Sequence, residues 1–291
     1  NKNYRGKIMT LIIDPQTGGI AGNMIIGALV DLGANPEELK KIMESVTTQF
    51  GKVKVNFNKV NKCGIDSTYC NVELLSENKH VHYKDLIAKI DSLELDEKVK
   101  ETSKNIFKRI AIAESKVHGK NLDEIHFHEV GASDAVADVI GSVYAYYSLN
   151  LDKEEVIGLP VALGGGRVKT AHGILPVPAP AVLEILKDIN CIGGPVDSEL
   201  ATPTGCAIYA ELCSEFKKFI PPCKTSKVAY GAGKKDFDFP NVLRVIKTKE
   251  ITESDQIDVI ETNIDHLTGE EIGYLFDKLL EELSLIHISE P

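Results

Sequence analysis

Apolar and polar positions divide the chain into segments of contrasting period. Residues 9–14 (MTLIID) are a short apolar run with β-branched members, which predicts a buried strand. A glycine-rich turn, PQTGGIAGN, follows, and MIIGALVDLG then reads as an apolar helix closed by Gly33. Asn35 and Pro36 are the residue types of an N-cap and a first helical position, so NPEELKKIMESV predicts a second helix. Residues 52–58 and 66–75 alternate and predict strands of a hairpin or meander. From Tyr83 to Leu149 the period is mostly helical. DEKVKETSKNIFKRIAIAESKVHG is a long amphipathic helix ended by Gly119, and ASDAVADVIGSVYAYYSL is another, with Ser133 as candidate N-cap. After residue 155 the character changes. EVIGLPVALGGG reads as a strand and glycine turn, PAPAVLEIL and TGCAIYAELCSEF as short helices, and KTSKVAYGAG and NVLRVIKTK as strands. The polar stretch TKEITESDQ is a linker, after which strand, turn and helix begin again.

These elements predict an α/β fold with mixed α+β character. Residues 9–250 are expected to form one large unit, or two joined subdomains with a break near 150–155, and residues 256–283 to begin a second domain. Residues 1–8 precede Met9, and the tail 284–291 breaks the amphipathic pattern. Both ends are expected to be non-native or disordered.

Composition narrows the function classes. The net charge of −10 and pI near 5.4 argue against broad nucleic-acid binding, and 6% aromatics without Trp offer no base-stacking surface. Six cysteines stand without a C-x-x-C pair and read as core thiols of a reducing compartment. No apolar run reaches the roughly twenty residues of a membrane span, so the expectation is a cytoplasmic protein without membrane contact.

The densest chemistry lies in DEIHFHEVGASDAVAD, residues 123–138. His126 and His128 are two apart on extended backbone and share a strand face. Asp134 and Asp138 are i, i+4 on a helix and share a face in the same way, as do Glu114 and His118. Imidazole with carboxylate suits nickel, zinc, manganese or iron, and spacing does not choose among them. The plainer alternative is that the histidines cap helices and the aspartates answer a helix dipole.

Other candidates surround it. Asp14 ends the first strand, at the edge where α/β sheets gather ligands. Gly22 and Asn23 begin the following helix, where N–H groups favour anions, although packing and capping explain them equally. Arg167, Lys169 and His172 place three cationic groups in GGGRVKTAHG, a local anion site or a solvated loop. Thr202 and Thr204 open a helix and suit phosphate, carboxylate or plain capping.

Taken together, DPQTGGIAGNM, AESKVHG, HFHEVGASDAVADVIG, LPVALGGGRVKTAHGILPVPAPA, ELATPTGCAI, YGAG, PNVLRV and ETNIDHLTGEEIGYL resemble the nickel insertion protein family of lactate racemase cofactor maturation. The resemblance runs from about Met9 to about Glu282. It implies a cyclometallase of the lyase class. Its substrate would be a pyridinium-3,5-bisthiocarboxylic acid mononucleotide, its substrate metal Ni2+, and CTP would be hydrolysed with Mn2+ or Mg2+. On this reading Asp14, Glu129 and His172 are candidate catalytic groups. Gly22, Asn23, Arg167, Lys169, Thr202 and Thr204 contact the nucleotide ligands, and His126, His128, Asp134 and Asp138 take metal. The metal roles come from the chemistry of the side chains; the family motif does not settle them. Asn23 stands where the family commonly has Asp. The segment ETNIDHLTGEEIGYL resembles the start of the family's C-terminal, CTP-binding domain, most of which would lie beyond this chain. A homo-oligomer is a further expectation. The competing function classes are a non-catalytic nickel-binding or delivery module and a metal-dependent phosphoesterase.

Overall fold

The computed structural model describes residues 9–77, 81–127, 133–170, 173–249 and 267–282. The elements begin β1 (Thr10–Asp14), α1 (Gly22–Leu32), α2 (Pro36–Val46), β2 (Gly51–Lys62), β3 (Ile65–Glu77), β4 (Val81–His82), α3 (Tyr83–Asp91) and α4 (Glu97–His118). They continue with β5 (His126–Phe127), α5 (Ser133–Ser148), β6 (Glu155–Gly158), β7 (Val161–Ala162), β8 (Arg167–Thr170), β9 (Gly173–Pro176) and α6 (Pro180–Ile185). The last are β10 (Cys191–Ile192), α7 (Pro203–Leu212), β11 (Glu215–Phe216), β12 (Lys224–Ala232), β13 (Val242–Lys249) and α8 (Gly269–Glu282). Two compact units result, Asn1–Thr252 and Glu253–Pro291. No helix among the described residues is long and apolar enough to cross a membrane.

The larger unit is built on a mixed seven-stranded sheet of order β11-β6-β1-β13-β12-β3-β2. β1 runs parallel to β6 and antiparallel to β13. β2 and β3 form a long antiparallel hairpin whose two-residue turn puts Cys63 and Gly64 at φ 49° and 88°, the backbone a primed hairpin turn requires. Alternation assigns the faces. Leu11, Ile13, Leu243 and Val245 join the main core with α1, α2, α4, α5 and α7, while Ile12, Ile157, Leu159 and Ile246 form a small cluster on the opposite face.

Local signals set most helix ends. Gly33 closes α1, its N–H reaching Leu29 O and Val30 O, and Asn35 accepts from the N–H groups of Glu37 and Glu38 to cap α2. Asp96 caps α4, and Gly119 ends it at φ 63°. α1 is apolar nearly all round and is correspondingly buried. It lies backbone to backbone on the sheet: a Cβ on Gly231 of β12 would sit 1.8 Å from Met24 O.

Two expected boundaries differ. The segment TGCAIYAELCSEF was expected to stay helical to Phe216, but α7 stops at Leu212 and Glu215–Phe216 pairs with β6 as an edge strand. Ser133 is the first helical residue of α5, and its buried Oγ has no hydrogen-bond partner, so it does not act as a cap. In the smaller unit, Thr268 and Glu271 form a reciprocal capping box at the start of α8.

Candidate functional site

The turn after β1 carries the chain to the start of α7. Ile20 N donates to Leu200 O (2.9 Å), and Thr202 N donates to Ile20 O (2.9 Å). Gly205, in the first turn of α7, meets Ala21 so closely that a Cβ would lie 2.6 Å from Ala21 Cα. The first turns of α1 and α7 are therefore side by side. They border a cleft of about 180 Å³ lined by Gly18, Asn23, Glu199, Thr202, Lys234, Lys235 and Asn241, among others. Lys235 Nζ donates to Ser198 Oγ (2.6 Å), and Asn241 Nδ2 to Lys235 O (2.8 Å), which fixes the lysine-bearing loop against the cleft.

α1 has no side-chain cap of its own at Ala21. The carboxylate of Asp138, from α5, takes that place and accepts the backbone N–H of Asn23. Gly22 makes this possible, because a Cβ there would lie 2.5 Å from Asp138 Cβ and Oδ2. Asp138 Oδ1 is out of reach of solvent and has no hydrogen-bond partner. Burial pushes the Asp138 carboxyl well above the usual carboxylate range, the charge of Asp134 one turn earlier adds to the shift, and the Asn23 N–H opposes it. A cation beside Asp138 would favour its ionised form.

The remaining candidates separate. Thr202 lines the cleft and caps α7, its Oγ1 accepting from Gly205 N (3.1 Å), and Thr204 is buried in the same first turn. Arg167 and Lys169 are exposed on the β8–β9 hairpin and line no wall of this cleft. Glu114 and His118 pair with each other at the end of α4 (2.9 Å). The backbone of His126 lies in β5, directly opposite His82 of β4. His128, Glu129 and His172 lie outside the described residues.

Asp14 does not turn toward the cleft. It is register partner to Arg244 and lies on the sheet face of Ile12 and Ile246, away from the main core. Arg244 donates to its Oδ2 from Nε (2.8 Å) and Nη2, and Gln16 donates to Oδ1 from its backbone (3.2 Å) and side chain (2.9 Å). Both oxygens are engaged, so Asp14 anchors the turn. Asp14→Asn should lower stability by about 2 kcal/mol through the loss of a charge-assisted pair; an unchanged urea midpoint would contradict that anchoring.

The sequence profile of the nickel insertion proteins matches residues 11–285. This chain belongs to the nickel insertion protein family. Among its relatives in that family, a Methanosphaera stadtmanae protein, put forward by its name as a nickel insertion protein, is 50% identical over 282 residues, covering 94% of this chain and 69% of the relative. The Staphylococcus epidermidis pyridinium-3,5-bisthiocarboxylic acid mononucleotide nickel insertion protein is 43% identical over 268 residues, covering 92% and 67%. The Desulfitobacterium hafniense protein of the same name is 40% identical over 271 residues, covering 90% and 66%. No solved structure matches. Reasoning from sequence missed Lys234, Lys235, Asn241 and His82. The adjacent lysines after YGAG and the histidines of KHVH were visible signals, but only the fold sets the lysines at the cleft and His82 opposite His126 in the β4–β5 ladder.

Proposed function

We propose that the protein to which this chain belongs inserts nickel into a pyridinium-3,5-bisthiocarboxylic acid mononucleotide, with CTP hydrolysed alongside Mn2+ or Mg2+. The observation that carries the reading is a lysine-lined cleft beside a buried carboxylate with an unpartnered oxygen. A phosphorylated pyridinium needs cationic and N–H donors, which Lys234, Lys235 and the first turns of α1 and α7 supply. Arg167, Lys169 and His172 extend those contacts when the β8–β9 hairpin engages the ligand.

Nickel enters as substrate. It bonds two sulfurs and a ring carbon, so the ring proton must leave, and Glu129 or His172 accepts it as general base. His126 and His128 hold the incoming ion, since imidazole suits Ni2+. Asp134 and Asp138 offer hard oxygen donors and fit Mn2+ or Mg2+, the orphaned Oδ1 of Asp138 being the site's unmet valence. A divalent ion there would neutralise phosphate oxygens. Asp14 positions the turn through Arg244 rather than moving a proton.

Mass spectrometry of substrate incubated with Ni2+, CTP, Mn2+ and the protein in a form that includes the CTP-binding domain tests the reading. The expected product gains one nickel and loses the ring proton; unaltered substrate overturns it. Equilibrium dialysis tests the metal assignment. His126→Ala/His128→Ala should lose a tight nickel equivalent that the unmodified chain binds. Equal nickel binding by both would mean that the ion enters with the sulfur-bearing substrate.

A further inference from the structure

The loop between β12 and β13, residues 233–241, carries the cleft lysines and two aromatic rings in one run, GKKDFDFPN. Its neck is closed. Gly233 N donates to Asn241 O (2.8 Å), and a Cβ on Gly233 would lie 2.5 Å from the Asn241 side chain. Gly233, Lys234, Lys235 and Asn241 all line the cleft, so residues 236–240 leave from its rim and return to it. The β2–β3 turn holds that segment in place. Lys62 Nζ donates to Lys235 O (3.3 Å) and pairs with Asp236 (2.5 Å), and Cys63 Sγ donates to Phe237 O (3.4 Å). Within the segment the rings of Phe237 and Phe239 stack, 5.1 Å between centroids and 12° from parallel, and both are only half-buried. An aromatic surface beside a few fixed polar groups is the usual make-up of a small-molecule site.

The cleft itself is too small for a whole mononucleotide. Its volume of about 180 Å³ falls below the roughly 300–1,000 Å³ of pockets that enclose drug-sized ligands. A phosphate and its ribose fill it, so the ring they carry must rest at the rim. A pyridinium ring is planar and cationic. The faces of Phe rings carry the negative part of their quadrupole and attract a cation within about 6 Å of the centroid. We propose that Phe237 and Phe239 form the platform on which the pyridinium ring of the mononucleotide stacks while Lys234 and Lys235 take its phosphate. This rests on the nickel insertion reading and deepens it by naming what selects a charged aromatic ring. The simpler assignment, two rings that only brace each other and the loop, predicts no effect on ligand affinity beyond that of folding.

Calorimetry measures binding of nicotinic acid mononucleotide, a pyridinium carboxylate on ribose 5-phosphate, to the full chain and to its Phe237→Leu/Phe239→Leu variant. Ribose 5-phosphate and CMP are the comparison ligands, the first without a ring and the second with an uncharged one. The variant keeps apolar side chains and removes the ring faces, so it should bind the pyridinium nucleotide about 5- to 30-fold more weakly and ribose 5-phosphate as before. The chain contains no Trp, so Phe239→Trp places a single indole in the platform. That variant should keep its affinity, and its fluorescence should be quenched as the pyridinium nucleotide is added. Thermal melting without ligand reports folding, and the Trp variant decides the question if the Leu variant melts early. Unchanged affinity in the Leu variant overturns the proposal, as do an equal loss for ribose 5-phosphate, an unquenched Trp, an unmodified chain that binds no pyridinium nucleotide, or CMP binding as tightly as the pyridinium. Nickel insertion that proceeds at full affinity in the Leu variant removes the platform and leaves the reaction. The expected binding losses, in a complete protein that inserts no nickel, remove the reaction and leave the platform.

Discussion

Gly231→Ala should destabilise the larger unit by at least about 3 kcal/mol, the upper range for overpacking a close contact. The new Cβ would lie 1.8 Å from Met24 O and 2.6 Å from Ala28 N, both backbone atoms of α1. No side-chain rotation relieves such a clash, so α1 must lift from β12. Gly27 tightens the same contact, since a Cβ there would lie 2.3 Å from Thr68 O. A glycine-to-alanine change ordinarily stabilises by roughly 0.4–1 kcal/mol through the unfolded chain, which is too little to offset this. Because α1 begins with Gly22 and Asn23, the cleft should open with it and substrate binding should fall. Urea unfolding checks the prediction, with Gly193→Ala as the control, because nothing lies within 4 Å of a Cβ there. Equal midpoints for Gly231→Ala and the unmodified protein would show that α1 is not seated as described.

Asp138→Asn should weaken divalent-cation binding and slow nickel insertion by about 100-fold, while leaving the fold intact. Asn keeps an acceptor for the Asn23 N–H and removes the charge. In the folded chain burial, reinforced by Asp134, holds the Asp138 proton to higher pH than in the unfolded chain. The folded state therefore binds more protons between the ordinary carboxylate range and the raised folded value. Stability falls as pH rises through that window. The variant lacks this loss, so without metal at neutral pH it should melt at or above the temperature of the unmodified protein. A cation at Asp138 displaces the proton and stabilises the ionised form, so Mn2+ should raise the melting temperature of the unmodified protein and leave that of the variant unmoved. Equal Mn2+ shifts in both proteins would remove Asp138 from the cation site.

The parts of the fold that sequence reveals are those decided within a few residues. Gly33, Asn35 with Pro36, and Gly119 mark helix ends because each bonds to backbone a turn away. The parts it hides depend on pairing. Glu215 and Phe216 leave the helical pattern because β6 offers them an edge, which no local preference encodes. Asp14 was legible as the last residue of a strand, but its face follows from the register with β13, and that register pairs it with Arg244. Asp138 was legible as one turn from Asp134. Its service to α1 was not, because α1 carries no polar cap to announce a missing partner. His82 entered only through the ladder with β5.

The last strand of the sheet to be synthesised lies in its middle. β13 sits between β1 and β12, so a growing chain first holds two incomplete ribbons, β11-β6-β1 and β12-β3-β2, each with an unpaired edge toward the gap. Such edges recruit other strands, including those of neighbouring nascent chains. β12 waits only for the loop that joins it to β13, but β1 (Thr10–Asp14) keeps an open edge until β13 (Val242–Lys249) is made, and its edge is the one most exposed to mispairing.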